Sequence, residues 1–313
     1  MPVPEVITVG RVSVDLYAQQ VGASFCDPQT FVKSVGGSPT NVAIAAARLG
    51  HHAAVVTKVG DDALGGYVRR QLSDWGVDTA YVGTGAGQTP VVLAALDPPE
   101  DPQIVFYRGA AAPDTQVTVD DVPAEAIDEC RVLWVSFGAL AQGSTADTCR
   151  EWLTQRQRRG DVVLDLDYRP SMWPDSDTAH EVAFDAVRQA TVVVGNRAEC
   201  DIAVAETDPD RAADALLAEG VRLAIVKKGG DGVLLATAED RWTVPPVPIR
   251  VLCGLGAGDA FGGALLHGLL AGWTVPEIGR FANAAGAYVA TQLTCGDAMP
   301  TLEQVEALMK GAP

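Results

Sequence analysis

The sequence contains no uncharged apolar run near the roughly 20 residues that a membrane span needs. Its opening, MPVPEVITVG, has neither the basic segment nor the apolar core of a secretory leader, so a cytoplasmic protein is expected. Cysteine is sparse and scattered. Cys26, Cys130, Cys149, Cys200, Cys253 and Cys295 form no C-x-x-C pair, and no histidine stands at metal-ligand spacing, which argues against a disulfide framework and a zinc site. Reduced, mostly buried thiols are expected instead. Positive charge is also short: 23 Lys and Arg face 40 Asp and Glu, a formal net charge of −17. That balance speaks against nucleic acid or an acidic membrane as partner, because both require a basic footprint. Any anionic ligand has to be held locally. Two nucleotide-binding patterns are missing as well. There is no G-x-x-x-x-G-K-[ST] loop, and the first strand runs into GRVSVDL instead of the G-x-G-x-x-G of a dinucleotide-dependent dehydrogenase.

What the chain does have is apolar content, 48% over 313 residues, enough to bury a large core as one domain or as one domain with an appendage. Val- and Ile-rich runs (EVITVG, AAVVTKVG, RVLWVSF, DVVLDLD, TVVVGN, LAIVKK) alternate with helix-like segments, the mark of βαβ units around a mostly parallel sheet covered on both faces. Three of those segments are expected to stop at Gly50, Gly160 and Gly220. Two stretches, at about 11–35 and 88–113, break the rhythm and read as short alternating strands, the second with DPPEDP as a hairpin tip. They are expected to form a small sheet inserted into the core, serving as a lid or an interface.

Residues 254–263, GLGAGDAFGG, follow the strand-like VPIRVL and precede a long apolar helix. Gly256, Ala257 and Gly258 would therefore stand where a helix presents unpaired N–H groups. Helix N-termini bind anions through such donors, and glycine lets the anion approach closely. The charge supplied is an acid, Asp259, which suits removal of a hydroxyl proton while the amides stabilise a transferring phosphoryl group. The alternative is a tight turn with a capping acid. A second glycine-led junction, VGGSPTNVAIAAARLG, offers Gly36 and Gly37 as a hinge or close-approach point. Its Asn41 is either a partner for sugar hydroxyls or a simple cap.

The two stretches, in this order and about 215 residues apart, resemble the two signatures of the ribokinase-like carbohydrate kinases, the pfkB family. The resemblance extends over essentially the whole chain. It implies a three-layer α/β/α core with a mostly parallel central sheet plus a small β-sheet lid, and phosphoryl transfer from ATP to an alcohol with Asp259 as base. It further implies that Asn196 and Glu199, in GNRAEC, organise Mg²⁺ through waters. Lys227, Gly229 and Gly232, in VKKGGDG, would lie along the nucleotide phosphates. Asn283 and Gly286 would border the adenine, and Asp15 would accept hydrogen bonds from the acceptor's hydroxyls. The family commonly has Asp-Thr where this chain has Cys253-Gly254, which speaks against potassium activation and leaves the monovalent-cation requirement open. His51 and His52, just past a helix end, read as surface residues.

Arg108, in FYRGAAAPD, and Arg169, in DLDYRPSMW, would be an odd pair beside a neutral sugar, because the arginine fork matches carboxylates. An aldonic or keto-aldonic acid acceptor follows. Asp165 and Asp167 are possible structural partners of Arg169. DLDYRP and TCGDAMPTLEQVEAL resemble in particular the family's kinases of C6 keto-deoxy acids. They point to 5-dehydro-2-deoxygluconate of myo-inositol catabolism, phosphorylated on its terminal hydroxyl, ahead of 2-keto-3-deoxygluconate or a fructokinase-like acceptor. A non-catalytic sugar-acid sensor on the same scaffold is the remote alternative. An exposed lid sheet would suit a homodimer.

Overall fold

A computed structural model describes residues 2–311. The chain opens with β1 (Val6–Val9), β2 (Ser13–Ala18), β3 (Phe31–Gly36), α1 (Ser38–Arg48), β4 (Ala53–Val59), α2 (Ala63–Asp74) and β5 (Val82–Thr84). A hairpin of β6 (Val91–Ala95) and β7 (Gln103–Tyr107) follows, then α3 (Ala124–Glu129), β8 (Val132–Ser136), α4 (Gly143–Arg156), β9 (Asp161–Asp165) and α5 (Ser176–Val187). The remainder is β10 (Val192–Asn196), α6 (Arg197–Val204), α7 (Pro209–Ala218), β11 (Leu223–Lys227), β12 (Val233–Ala236), β13 (Arg241–Val244), α8 (Ala257–Ala271), α9 (Val275–Ala290) and α10 (Leu302–Met309).

All six apolar runs become strands of one nine-stranded sheet, ordered β13-β12-β11-β10-β9-β8-β1-β4-β5. Every pairing from β5 to β11 is parallel, and β12 and β13 add an antiparallel edge. Side chains of a strand alternate between faces, and here both faces are apolar. Val132 and Trp134 of β8 join a core shared with α1, α8 and α9, while Leu133 and Val135 join one shared with α4, α5 and α7. The result is helix, sheet, helix. The two stretches that break the rhythm supply a separate four-stranded sheet, β3-β2-β6-β7. DPPEDP is indeed the tip between antiparallel β6 and β7.

The glycines of the 254–263 stretch have two separate uses. Gly262 and Gly263 face inward, where a Cβ on Gly263 would overlap that of Ala45 and one on Gly262 would lie 2.7 Å from Trp134. Small residues here let α8 lie directly on α1, so the two glycine-led helix starts come together. Two expectations need correction. The helix expected to stop at Gly160 ends at Arg156, whose buried guanidinium donates to the carbonyls of Ile127, Asp128 and Cys130, and Gln157 and Arg158 make the left-handed turn. His51 and His52 are half-buried, not surface residues: His51 meets His267 at 2.9 Å and His52 meets Asp78 at 3.0 Å.

Replacing a helical glycine by alanine ordinarily stabilises by about 1 kcal/mol. Gly263→Ala should do the opposite, losing roughly 1–3 kcal/mol through overpacking against Ala45. A raised melting temperature would contradict this packing.

Candidate active site

In a parallel sheet the C-terminal strand ends face one edge, and ligands bind in the crevice there. Arg11 follows β1, Asp165 ends β9 with Asp167 and Arg169 just beyond, Asn196 ends β10 and Lys227 ends β11. These residues line a cavity of about 670 Å³, closed on its other side by Asp15, Val92 and Phe106 of the second sheet. At its centre the two glycine-led helix starts meet. Asn41 of α1 donates from Nδ2 to Asp259 Oδ2 of α8 at 2.7 Å. Gly256 caps α8 in a left-handed conformation, φ 78°, and a Cβ there would come 2.5 Å from Cys295 Sγ. Gly256, Ala257 and Gly258 line the cavity at the start of α8, where backbone N–H groups have no partner within the helix.

Toward the second sheet, Asp15 is buried and accepts from Ser13 Oγ at 2.6 Å and Tyr17 Oη at 3.1 Å. Gly36 does not line the cavity. It makes room for Asp15, whose carboxylate a Cβ at 36 would overlap. Gly37 lies on the Arg11 carbonyl, with φ 101°. The two arginines named from the sequence are not brought together. Arg108 is held away from the cavity by Asp114, whose carboxylate takes Nε and Nη2 at 3.0–3.1 Å. Arg169 does line the cavity, and its partner there is Arg11. Both share Asp167: Arg11 Nη2 reaches one oxygen at 2.6 Å and Arg169 Nη2 the other at 2.8 Å. Asp165 does not bond Arg169; it accepts from Ser38 Oγ at 3.1 Å. The Nε atoms of both arginines and Asn41 Oδ1 are buried without a partner.

At the other end Lys227 points at the start of α8, its Nζ 3.3 Å from where a Gly258 Cβ would stand, and lies 4.0 Å from Glu199. Asn196 and Glu199 form a capping box for α6, each side chain bonding the other's backbone N–H, at 3.0 and 2.6 Å. Gly229, Gly232, Asn283 and Gly286 all line the cavity. Asn283 Nδ2 is occupied by the Pro245 carbonyl at 2.7 Å, and Gly286 lets α9 approach the Ala257 carbonyl.

Residues 3–302 match a family model described as pfkB family carbohydrate kinase. The chain belongs to that family. It is 32% identical over 308 residues to 5-dehydro-2-deoxygluconokinase of Geobacillus thermodenitrificans, a match covering 96% of this chain and 91% of that one. Among solved structures it resembles a fructokinase with bound ATP from Xylella fastidiosa, with a TM-score of 0.86 and 24% identity over 98% and 99% of the two chains. A putative ribokinase II in complex with ATP and Mg²⁺ from E. coli superposes with a TM-score of 0.85 at 22% identity, again covering 98% and 99%. As a pfkB kinase, the protein is an ATP-dependent sugar kinase.

The kinase cavity is acidic: seven Asp and Glu side chains line it against Arg11, Arg169 and Lys227. Burial pushes Asp15 up to about 6, against the hydrogen bonds from Ser13 and Tyr17 and the charge of Arg11. Burial, reinforced by Asp167, also takes Asp165 to about 7 in spite of Lys227. Asp259 is raised by burial and by Asp167, while the bonds from Asn41 and Ser38 resist the shift. For Asp167 burial acts upward, but Arg169 and Arg11 outweigh it and hold the group ionised, well below the ordinary range. Burial would lower Lys227, yet Glu199 and Asp165 keep it charged. Magnesium fits this end on its chemistry. No group of three or more His, Cys, Asp or Glu that could hold a metal occurs among the described residues. Mg²⁺ ordinarily takes one or two carboxylates, keeps several waters and relies on substrate phosphates.

Arg11, Tyr17 and Cys295 were missed as site residues. Arg11 had a usable signal in the strand-ending GRVSVDL, whereas Arg108 carries its own partner six positions on, in RGAAAPD.

Because its folded pKa is raised, Asp15 contributes stability that is fully present below pH 3.8 and is lost as pH rises through about 6. The loss is on the order of 3 kcal/mol. Thermal unfolding of the ligand-free protein between pH 4 and 8 should therefore show Asp15→Asn gaining on wild type with rising pH. A difference that does not change with pH would contradict the assignment.

Proposed function

We propose that this kinase transfers the γ-phosphoryl group of ATP to the terminal, 6-hydroxyl of 5-dehydro-2-deoxygluconate, in myo-inositol catabolism. The observation that carries the reading is the pair of guanidinium groups that share Asp167 and line the cavity. Two arginines held by one carboxylate leave guanidinium donors free, both Nε atoms among them, which suits a second carboxylate and is wasted on a neutral sugar. The relatives' name supports the same choice. Asp15 takes hydroxyls of the chain, since an ionised carboxylate only accepts hydrogen bonds.

In the proposed reaction Asn41 orients Asp259, which receives the terminal hydroxyl's proton. The hydroxyl oxygen bonds to the γ-phosphorus as the bond to ADP breaks. Charge on the transferring group falls on the amides of Gly256, Ala257 and Gly258 and on Lys227. ATP would lie along Gly229, Gly232 and the start of α8, with its base toward Asn283 and Gly286. Asn196 and Glu199 are the residues that would hold magnesium through water, and the ion, when bound, offsets phosphate charge. We expect no potassium activation. Where the family's Asp-Thr would stand, Gly254 N–H donates to the Pro99 carbonyl at 2.8 Å and its Cα is packed by that of Glu100.

That contact also supports a lid role for the second sheet, since its hairpin tip rests beside the phosphate loop and keeps out water that would otherwise be phosphorylated. The outer face of the sheet supports a homodimer. Leu16, Leu93 and Val105 form one cross-strand row and Val91 and Tyr107 lie in the next, opposite Asp15, Val92 and Phe106, while Val14 at the end of that second row is buried. Tyr107 is 65% exposed and Val105 40%. Free thiols throughout suit a cytoplasmic enzyme.

An ADP-release screen over 5-dehydro-2-deoxygluconate, 2-keto-3-deoxygluconate, fructose and ribose tests the reading. The first should give the highest kcat/KM; a win for fructose or ribose overturns it. With the accepted sugar, Asp259→Asn should lower kcat by a factor of about 10²–10⁴ while ATP binding persists. An undiminished kcat would show that another group takes the proton.

A further inference from the structure

Cys295 stands apart from the other buried thiols because it lines the cavity and touches both of its working parts. Its Sγ lies 2.8 Å from Tyr17 Oη, and Tyr17 Oη lies 3.1 Å from Asp15 Oδ2. The phenol has one proton. Asp15, when ionised, can only accept, so that proton goes to the carboxylate and the thiol S–H donates to the phenol oxygen. The chain runs thiol to phenol to carboxylate, while Ser13 Oγ fixes the other carboxylate oxygen at 2.6 Å. On its far side the same sulfur lies against Gly256, the residue that caps α8. Asn41, 2% exposed, lines the same cavity with its Oδ1 unpartnered, so a polar ligand is wanted there.

We infer that Cys295 is a positioning residue for the acceptor: through Tyr17 it fixes the direction in which the Asp15 carboxylate presents its remaining lone pairs. The thiol neither touches the transferring phosphoryl group nor takes part in bond making. Its effect is on how well the acceptor is held. Removing the S–H leaves the phenol oxygen without its donor and lets Tyr17 and Asp15 rotate together. One neutral hydrogen bond is worth about 0.5–1.5 kcal/mol, a factor of roughly 2–10 in binding. The inference rests on the proposed role of Asp15 but not on which sugar acid is the acceptor.

The test uses the full chain, ATP, and whichever sugar of the screen the wild type turns over, so it stands even if the sugar-acid reading falls. Cys295→Ala should raise the acceptor KM roughly 3–10-fold, with kcat, ATP KM and melting temperature little changed. Cys295→Ser, which keeps a donor, should recover most of the loss. Tyr17→Phe cuts the chain at its middle, so it should raise the acceptor KM by itself, and adding Cys295→Ala to it should cost nothing more. Fully additive effects would mean that the thiol acts apart from Tyr17, and the inference falls. It falls equally if Cys295→Ala raises the KM of both substrates and lowers the melting temperature, the pattern of a packing role. Should Cys295→Ala not fold, Tyr17→Phe decides: an unchanged acceptor KM there overturns the chain.

Discussion

One buried carboxylate, Asp167, is shared by two guanidinium groups that arrive from opposite directions along the chain. Arg11 comes from the end of β1, and Arg169 from two residues further along Asp167's own loop. Arg11 is also where the parts of the molecule join. Its carbonyl accepts from Thr40 of α1 and lies under Gly37, its guanidinium sits 5.8 Å from the Phe106 ring of the second sheet, and β2 begins two residues later. Removing the carboxylate from such a pair leaves charge buried without a partner, at a cost of about 3–5 kcal/mol. The junction between the main sheet, the second sheet and the first glycine-led helix therefore depends on Asp167 staying ionised.

That interaction stands in an otherwise acidic cavity, and the acidity explains much of the site's behaviour. Asp15, Asp165 and Asp259 are all raised because they are buried among their own kind. The ligand-free protein thus bears electrostatic strain. The kinase's substrates are anions in the proposed reading, so the net negative charge of the chain gives no help with binding. Attraction has to come from three basic side chains and from backbone amides at the head of α8, placed by close helix packing. Function and stability pull against each other at these positions, as expected where charges are buried for use.

Much of this was legible in the sequence, and some of it was not. Period, β-branched content and terminal glycines located six strands of the main sheet and the two stretches of the second. The short strands β5, β12 and β13, at or next to the edges of the sheet, were not picked out. The two glycine-led junctions were readable because each is a local pattern with its own chemistry. Arg11 was harder to read: its place just past a strand end was the one signal, and its partner is 156 positions away. Arg108 was named in its place although a local acid, Asp114, was available to neutralise it. Asn196 and Glu199, read from the sequence as a ligand pair, form a helix capping box, a backbone role that the same spacing serves. The glycine pair at 262–263, given no role from the sequence, is a packing surface.

The claim on which the account turns is that the arginine pair receives a substrate carboxylate. It is tested most directly by comparing kcat/KM for the sugar acid and for its neutral carboxamide in wild type and in Arg169→Met. The account predicts a loss of about 10²-fold or more for the acid, the scale of a charge-assisted bidentate contact, with the carboxamide changed by less than about threefold. Equal losses for both acceptors would mean that Arg169 only holds the loop together, and the carboxylate would have to bind elsewhere.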